Sequence, residues 1–219
     1  MVYSMYKHKY MYVSWEEAVN LSLKLGSKIL ESGYRPDSII AISRGGLVPA
    51  RVISDLLNIE RVFSLKASLW GIGGKKYDDV VIYSMYLPIK GDNTLIVDDV
   101  VDTGSTLHKI TKYIEKFNPE SIKTAVLHLK PSAKYVPDYY SMKLSNWIWI
   151  IYPWTVYETI YSIIYNKIGC RDSLELDEKE IMDLFYQETG IKLDRKYTKF
   201  LSDSKINYIK YLCSSQEEP

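Results

Sequence analysis

The chain has 219 residues, 47% of them apolar, enough to bury a full core without help from metals or disulfides. A formal net charge of +1, with the lysines spread along the chain, excludes the basic footprint of a nucleic-acid binder. Apolar runs too interrupted for a membrane span, and two cysteines (Cys170, Cys213) without CxxC or Cys/His spacing, give the expectation of a reduced, cytoplasmic protein with no membrane contact.

Ser14-Trp15-Glu16-Glu17 has capping-box spacing, and Ala18, Leu21, Leu25 and Ile29 recur at helical period until Gly33, which predicts the first helix. Ser38 to Ile42 reads as a short buried strand, Leu47 to Leu57 as a helix and Arg61 to Lys66 as the next strand, a βαβ unit that calls for parallel pairing. Trp70 to Asp79 breaks all periodicity with Gly71, Gly73 and Gly74, a mobile loop, before Val80 to Leu87 alternates again as a strand. Thr94-Leu95-Ile96-Val97 is an unbroken apolar or β-branched run, the mark of a parallel strand covered on both faces. A helix carried by Leu107, Ile110, Thr111 and Ile114 follows and ends near Asn118-Pro119. Ile122 to Leu129 and Trp147 to Tyr152 are predicted as further strands, and Trp154, Tyr157, Ile160, Tyr161 and Ile164 open a helical tail.

Chemistry-bearing residues gather at two strand-to-helix junctions. Asp98 and Asp99 emerge at the carboxyl end of the Thr94–Val97 run, where open α/β sheets bind ligands. Thr103-Gly104-Ser105-Thr106 then supplies hydroxyls and N–H groups just ahead of a helix, so that a phosphate can sit on the helix N-terminus. Ser43-Arg44-Gly45-Gly46 joins the earlier strand to its helix in the same way, and its N–H groups and the Arg44 guanidinium converge on one anion site. Lys75 and Lys76 lie on the glycine-flanked loop, placed either to swing over that anion or to remain solvated charges. His8, His108 and His128 have no paired spacing, and none is assigned a role.

The run Val97-Asp98-Asp99-Val100-Val101-Asp102-Thr103-Gly104-Ser105-Thr106 resembles, ungapped and over its full length, the phosphoribosyl pyrophosphate (PRPP) signature of the type I phosphoribosyltransferases. The resemblance implies that Asp98 and Asp99 hydrogen-bond the ribose 2- and 3-hydroxyls and that Thr103, Gly104, Ser105 and Thr106 take the 5-phosphate. Ser43-Arg44-Gly45-Gly46-Leu47-Val48-Pro49 is similar to the pyrophosphate loop of the 6-oxopurine members, which assigns Ser43, Arg44, Gly45 and Gly46 to pyrophosphate, a group that Lys75 and Lys76 could reach from their own loop. It further implies Mg²⁺ chelated by pyrophosphate and ribose hydroxyls, reached by Asp98 and Asp99 directly or through water. Asp102 stands where purine-using members accept the N7 proton as N9 is glycosylated, the position of a general base. Leu129-Lys130-Pro131 and Trp149-Ile150-Ile151-Tyr152-Pro153-Trp154 resemble the base-recognition segments: Lys130 donates to the 6-oxo group, Trp149 stacks on the base, and the Ile150 backbone meets the group at C2. An ammonium donates to an oxo group but cannot accept from an amino group, so Lys130 favours oxopurines over adenine. Thr155 stands where many relatives carry an acid, and an adenine enzyme on the same scaffold remains open.

The expected architecture is α/β: a parallel-sheet type I phosphoribosyltransferase core with the PRPP site (1–129), flanked by helices, a small hood for base recognition (130–154) and a helical C-terminal tail (155–219). The expected reaction is purine plus PRPP giving nucleoside monophosphate plus pyrophosphate, an activity of purine salvage, in a homodimer by analogy with the family. A catalytically silent PRPP- or nucleotide-sensing regulator is the alternative, against which the retained Asp102, Arg44 and glycine loop argue.

Overall fold

The computed structural model describes residues 10–68, 70, 71, 74, 75, 80–83, 85–168 and 176–198. In chain order its elements are β1 (Tyr10–Tyr12), α1 (Trp15–Glu31), β2 (Ser38–Ser43), α2 (Leu47–Leu57), β3 (Val62–Ser68), β4 (Trp70–Gly71), β5 (Gly74–Lys75) and β6 (Val81–Ile82). There follow β7 (Asn93–Val101), α3 (Ser105–Ile114) with a 3₁₀ turn (Glu115–Phe117), β8 (Ser121–Leu129), β9 (Tyr139–Lys143), β10 (Trp149–Ile151), α4 (Val156–Lys167), α5 (Glu178–Thr189) and α6 (Arg195–Thr198). Two compact units divide the chain. The larger holds the described residues of 14–70 and 76–147, the smaller those of 1–13, 71–75 and 148–219.

The larger unit is built on a sheet of strand order β6-β3-β2-β7-β8-β9. β2 pairs in parallel with β3 and β7, β7 with β8, and β8 with β9, while β6 runs antiparallel to β3. The five parallel strands therefore lie in the order 2-1-3-4-5, a doubly wound sheet whose direction of winding reverses between β2 and β7. Ile40, Ile42, Ile96 and Val126 form one buried cluster with Leu107, Ile110 and Ile114 of α3. Their alternates Ile39, Ala41, Leu95, Val97, Ala125 and Leu127 are equally buried on the opposite face, where α1 and α2 pack. Cover on both faces is why these strands read as continuous apolar runs. The Ser14 capping box closes α1 as expected, and Gly26 lets α1 approach α2, since a Cβ there would meet Leu56 at 2.6 Å.

The strand pattern departs from expectation in places. Among the described residues, the strand predicted over Val80–Leu87 is seen at Val81–Ile82, and at Met85 the Tyr113 hydroxyl bonds both the N–H and the C=O in place of a neighbouring strand. β9 had no prediction, and it adds to the sheet so that residues 139–143 belong with the core. The boundary between the two compact units falls at Trp147/Ile148.

In the smaller unit, β1 pairs in parallel with β10, Tyr10 opposite Trp149 and Tyr12 opposite Ile151, which limits the strand predicted over Trp147–Tyr152 to three residues. Ile151 packs with Val156, Ile160, Ile163 and Ile164 of α4, Ile181 and Phe185 of α5, and Tyr197 of α6. An Asp177/Glu180 capping box opens α5, and Lys167 pairs with Glu188 at 2.9 Å. Cys170, Cys213 and the tail beyond Thr198 lie outside the described residues.

His128 is 1% exposed on β8, and burial draws its imidazole down to about 4, partly opposed by the charge of Glu17. With the folded value below that of the unfolded chain, this histidine costs nothing above about pH 6.5. Stability then falls by up to about 1.4 kcal/mol per pH unit as pH drops from 6.5 towards 4. Urea unfolding across that window is expected to show a shallower slope in His128→Leu than in the native chain; equal slopes would place the acid sensitivity in other groups.

Candidate active site at the switch point of the sheet

The ladder between β2 and β7 stops at Ala41↔Val97, whereas the ladder between β7 and β8 continues to Val101↔Leu129. One edge of β7 is therefore left open from Asp98 onwards, beside the loop by which β2 turns away into α2. The two acids lie inside this overhang and not, as expected, at the strand's last residues. The Asp99 N–H donates to Asp98 Oδ1 at 2.9 Å. Burial first, and the charge of Asp99 second, push the Asp98 carboxyl well above the usual carboxylate range.

Ser43-Arg44-Gly45-Gly46 comes to this open edge. A Cβ on Gly45 would fall 2.4–2.6 Å from the Asp99 carboxylate, and one on Gly46 would fall 2.2 Å from Val97 O. The Ser43–Arg44 peptide is cis, Ser43 Oγ shares a hydrogen bond with Ser64 Oγ, and the Arg44 side chain is exposed. Gly46 is the N-cap of α2 and Gly104 that of α3, and neither helix start has a side-chain cap, whereas α1 and α5 are closed by capping boxes. At α2 the Gly46 N–H bonds Ile42 O and the Leu47 N–H bonds Arg44 O, and at α3 the Ser105 N–H meets Thr103 Oγ1 at 3.4 Å, so an anion at either start would compete with these local acceptors. Gly104 takes φ +88° with Tyr135 Cβ 2.6 Å from where its own Cβ would lie, so both conformation and space demand glycine. Thr103 and Ser105 are exposed beside it, their hydroxyls 3.0 Å apart, with Thr106 half-buried. The helix begins at Ser105, two residues earlier than its apolar period indicated.

After β8 the chain straps back over this loop, with Lys130 N–H bonded to Val101 O and Lys134 N–H to Thr103 O, each at 2.9 Å. The strap and the segment after β9 surround Asp102. Its carboxylate accepts from Ser132 Oγ at 2.7 Å, from Lys130 Nζ at 3.1 Å and from the Trp147 indole N–H at 3.1 and 3.3 Å. Burial alone raises this carboxyl, but the Ser132 hydrogen bond, the charge and hydrogen bond of Lys130 and the Trp147 hydrogen bond outweigh it, and the net direction is downward. Lys130 is 5% exposed, with Nζ 4.3 Å from the Trp147 ring centroid, a cation–π contact.

The structure thus brings Ser43, Arg44, Gly45, Gly46, Asp98, Asp99, Asp102, Thr103, Gly104, Ser105, Thr106 and Lys130 to the carboxyl ends of neighbouring strands in one unit. Trp149 and Ile150 belong to β10 of the smaller unit, where Trp149 packs against the cluster around Ile151. Lys76 and the side chain of Lys75 lie outside the described residues. Sequence reasoning missed Ser132 and Trp147. The available signal was the second tryptophan two residues before Trp149, obscured because the motif spacing is counted back from Pro153.

No group of three His, Cys, Asp or Glu among the described residues is gathered to hold a metal ion unaided. Asp98 and Asp99 nonetheless suit a hard cation that draws most of its oxygens from a substrate, since two adjacent carboxylates in a buried setting repel each other until a positive charge offsets them.

Residues 11–159 match the phosphoribosyl transferase domain model. The chain is 32% identical over 152 residues to the xanthine-guanine phosphoribosyltransferase of Idiomarina loihiensis, covering 69% of this chain and 91% of that protein. It is 33% identical over 143 residues to that of Nitratidesulfovibrio vulgaris, covering 65% and 82%. Among solved structures, a purine phosphoribosyltransferase from Pyrococcus horikoshii superposes with a TM-score of 0.57 at 33% identity, covering 67% of this chain and 94% of that one.

Proposed function

The chain belongs to the phosphoribosyl transferase family, and from that premise we propose that it transfers the 5-phosphoribosyl group of PRPP to N9 of a 6-oxopurine, releasing pyrophosphate and a nucleoside monophosphate in purine salvage. The observation that carries this reading is the juxtaposition at the switch point: two helix N-termini without side-chain caps flank an acidic pair, and buried Lys130 pairs with half-buried Asp102 at the adjoining strand ends. Relatives named for xanthine and guanine support the oxopurine.

In this reaction the 5-phosphate sits on the N–H groups and hydroxyls of Thr103, Gly104, Ser105 and Thr106, and the pyrophosphate on Ser43, Arg44, Gly45 and Gly46. Asp98 and Asp99 accept from the ribose hydroxyls and are the residues that would hold Mg²⁺, directly or through water. When bound, the ion neutralises charge on the leaving pyrophosphate. Lys130 donates to the 6-oxo group, and Asp102 accepts the N7 proton once the base takes the place of Lys130 or Ser132 at its carboxylate. The parts given to Trp149 and Ile150 rest on the sequence motif, and those given to Lys75 and Lys76 on their place in the glycine-flanked loop. A cytoplasmic homodimer completes the proposal, supported by the exposed apolar residues Trp15, Val19, Leu23 and Leu30 along α1, a surface of the kind a second copy covers. No helix among the described residues is long and apolar enough to cross a membrane.

Pyrophosphate release from PRPP and Mg²⁺, measured with adenine, hypoxanthine, guanine, xanthine, uracil and orotate in turn, tests the reading. Turnover is expected with oxopurines and to fall to background on chelation of Mg²⁺. Turnover with adenine alone would keep the reaction but remove Lys130 as its reader, and silence with every base would favour a nucleotide-sensing regulator.

A further inference from the structure

Trp147 touches both groups that the proposed reaction places against the purine, yet it belongs to neither motif. Its indole N–H lies 3.1 Å from Asp102 Oδ2 and 3.3 Å from Oδ1, while its ring lies beneath the Lys130 ammonium, 4.3 Å from Nζ to the centroid. Lys130 and Asp102 are themselves bonded at 3.1 Å. One side chain therefore ties an acceptor and a donor into a closed triangle, and a half-exposed tryptophan can do so without belonging to the core.

We propose that Trp147 is a positioning residue for the base: its indole N–H fixes the Asp102 carboxylate and its ring face fixes the Lys130 ammonium, so that the two are held at the spacing of the purine N7 and O6 edge before the base arrives. This rests on the base-binding reading above. Two independent attachments make it separable by substitution, because phenylalanine keeps a ring for Lys130 but has no donor for Asp102, and leucine has neither. Lys130 is the charged group that faces Asp102, and Ser132 is the remaining donor, so loss of the indole N–H leaves two of three partners in place.

Trp147→Phe is expected to leave the preference for hypoxanthine over adenine intact. It is also expected to move the acid limb of kcat/KM for the base upward by roughly half a pH unit, as a carboxylate that has lost a donor gains its proton more readily. Trp147→Leu is expected to show that shift and also to raise KM for hypoxanthine about three- to tenfold, the range of a lost cation–π contact. KM for PRPP should be unchanged in both, which separates positioning of the base from general damage to the fold. Wild-type activity with oxopurines and unaltered base KM and pH profiles in both variants would overturn this inference alone. Wild-type silence with all six bases would overturn the base-binding reading and this inference together.

Discussion

Asp102→Asn is expected to lower kcat for the purine by about 100-fold or more while leaving KM for PRPP within about threefold of the native value. The carboxylate lies on the loop after β7 and receives three donors, Ser132, Lys130 and Trp147, none of which belongs to the loops assigned to the phosphates. Asparagine keeps the shape and one oxygen able to accept from these donors, but its amide nitrogen cannot take the N7 proton. Alanine is the poorer probe: it strands the 5%-exposed Lys130 ammonium, and part of any loss would then be a cost of folding. Asp99→Ala should instead impair PRPP affinity and turnover together, because that carboxylate lies against Gly45 in the pyrophosphate loop. Steady-state kinetics with PRPP and base varied separately read both variants. An Asp102→Asn enzyme with native kcat would remove Asp102 as the general base.

The segments most legible in the sequence were those whose physics is local. The Thr94–Val97 run announces a strand covered on both faces, Ser14 and Glu17 announce the start of α1, and Asn118 in the left-handed region marks the stop before Pro119. The elements that escaped depend on partners far along the chain. β9 is a five-residue strand whose place is set by Asp138, which bonds Thr124 N–H and Oγ1 and Lys123 across the β8–β9 connection, and nothing in Tyr139–Lys143 itself points to that acid's role. β1 has three residues and exists by pairing with β10. The apolar pattern of Val80–Leu87 suggested a strand because Leu87 is indeed buried, but burial is supplied there by a segment whose backbone partner is a tyrosine hydroxyl. At the site, the motif residues could be read because glycine and acid spacing is contiguous. Ser132 and Trp147 reach Asp102 from 30 and 45 residues away, a relation that only the fold creates.

Gly46→Ala and Gly45→Ala, neighbours in one loop, are expected to fail in different ways. Gly46 has φ −71°, which any residue adopts, so the constraint on it is space. Its Cβ would fall 2.2 Å from Val97 O and 2.9 Å from Ile42 N and O, all backbone atoms of the two strands that flank the switch point. Backbone cannot swing aside as a side chain can, so accommodation requires β2 and β7 to part where both are packed on two faces. The cost expected of such overpacking is about 2–3 kcal/mol, or roughly 5–10 °C in Tm for a chain of this size. At Gly45 the obstacle is the Asp99 carboxylate, with Cγ at 2.5 Å, and a carboxylate can rotate away. Gly45→Ala should therefore keep Tm within a few degrees of the native chain and lose at least about tenfold in PRPP affinity, because the acid that meets the ribose has been turned from its place. Thermal unfolding and PRPP titration of the two variants side by side read this contrast. A Gly45→Ala protein with native PRPP affinity would show that the ribose hydroxyls do not depend on Asp99, and a Gly46→Ala protein with native Tm would show that the strands at the switch point yield more easily than their packing implies.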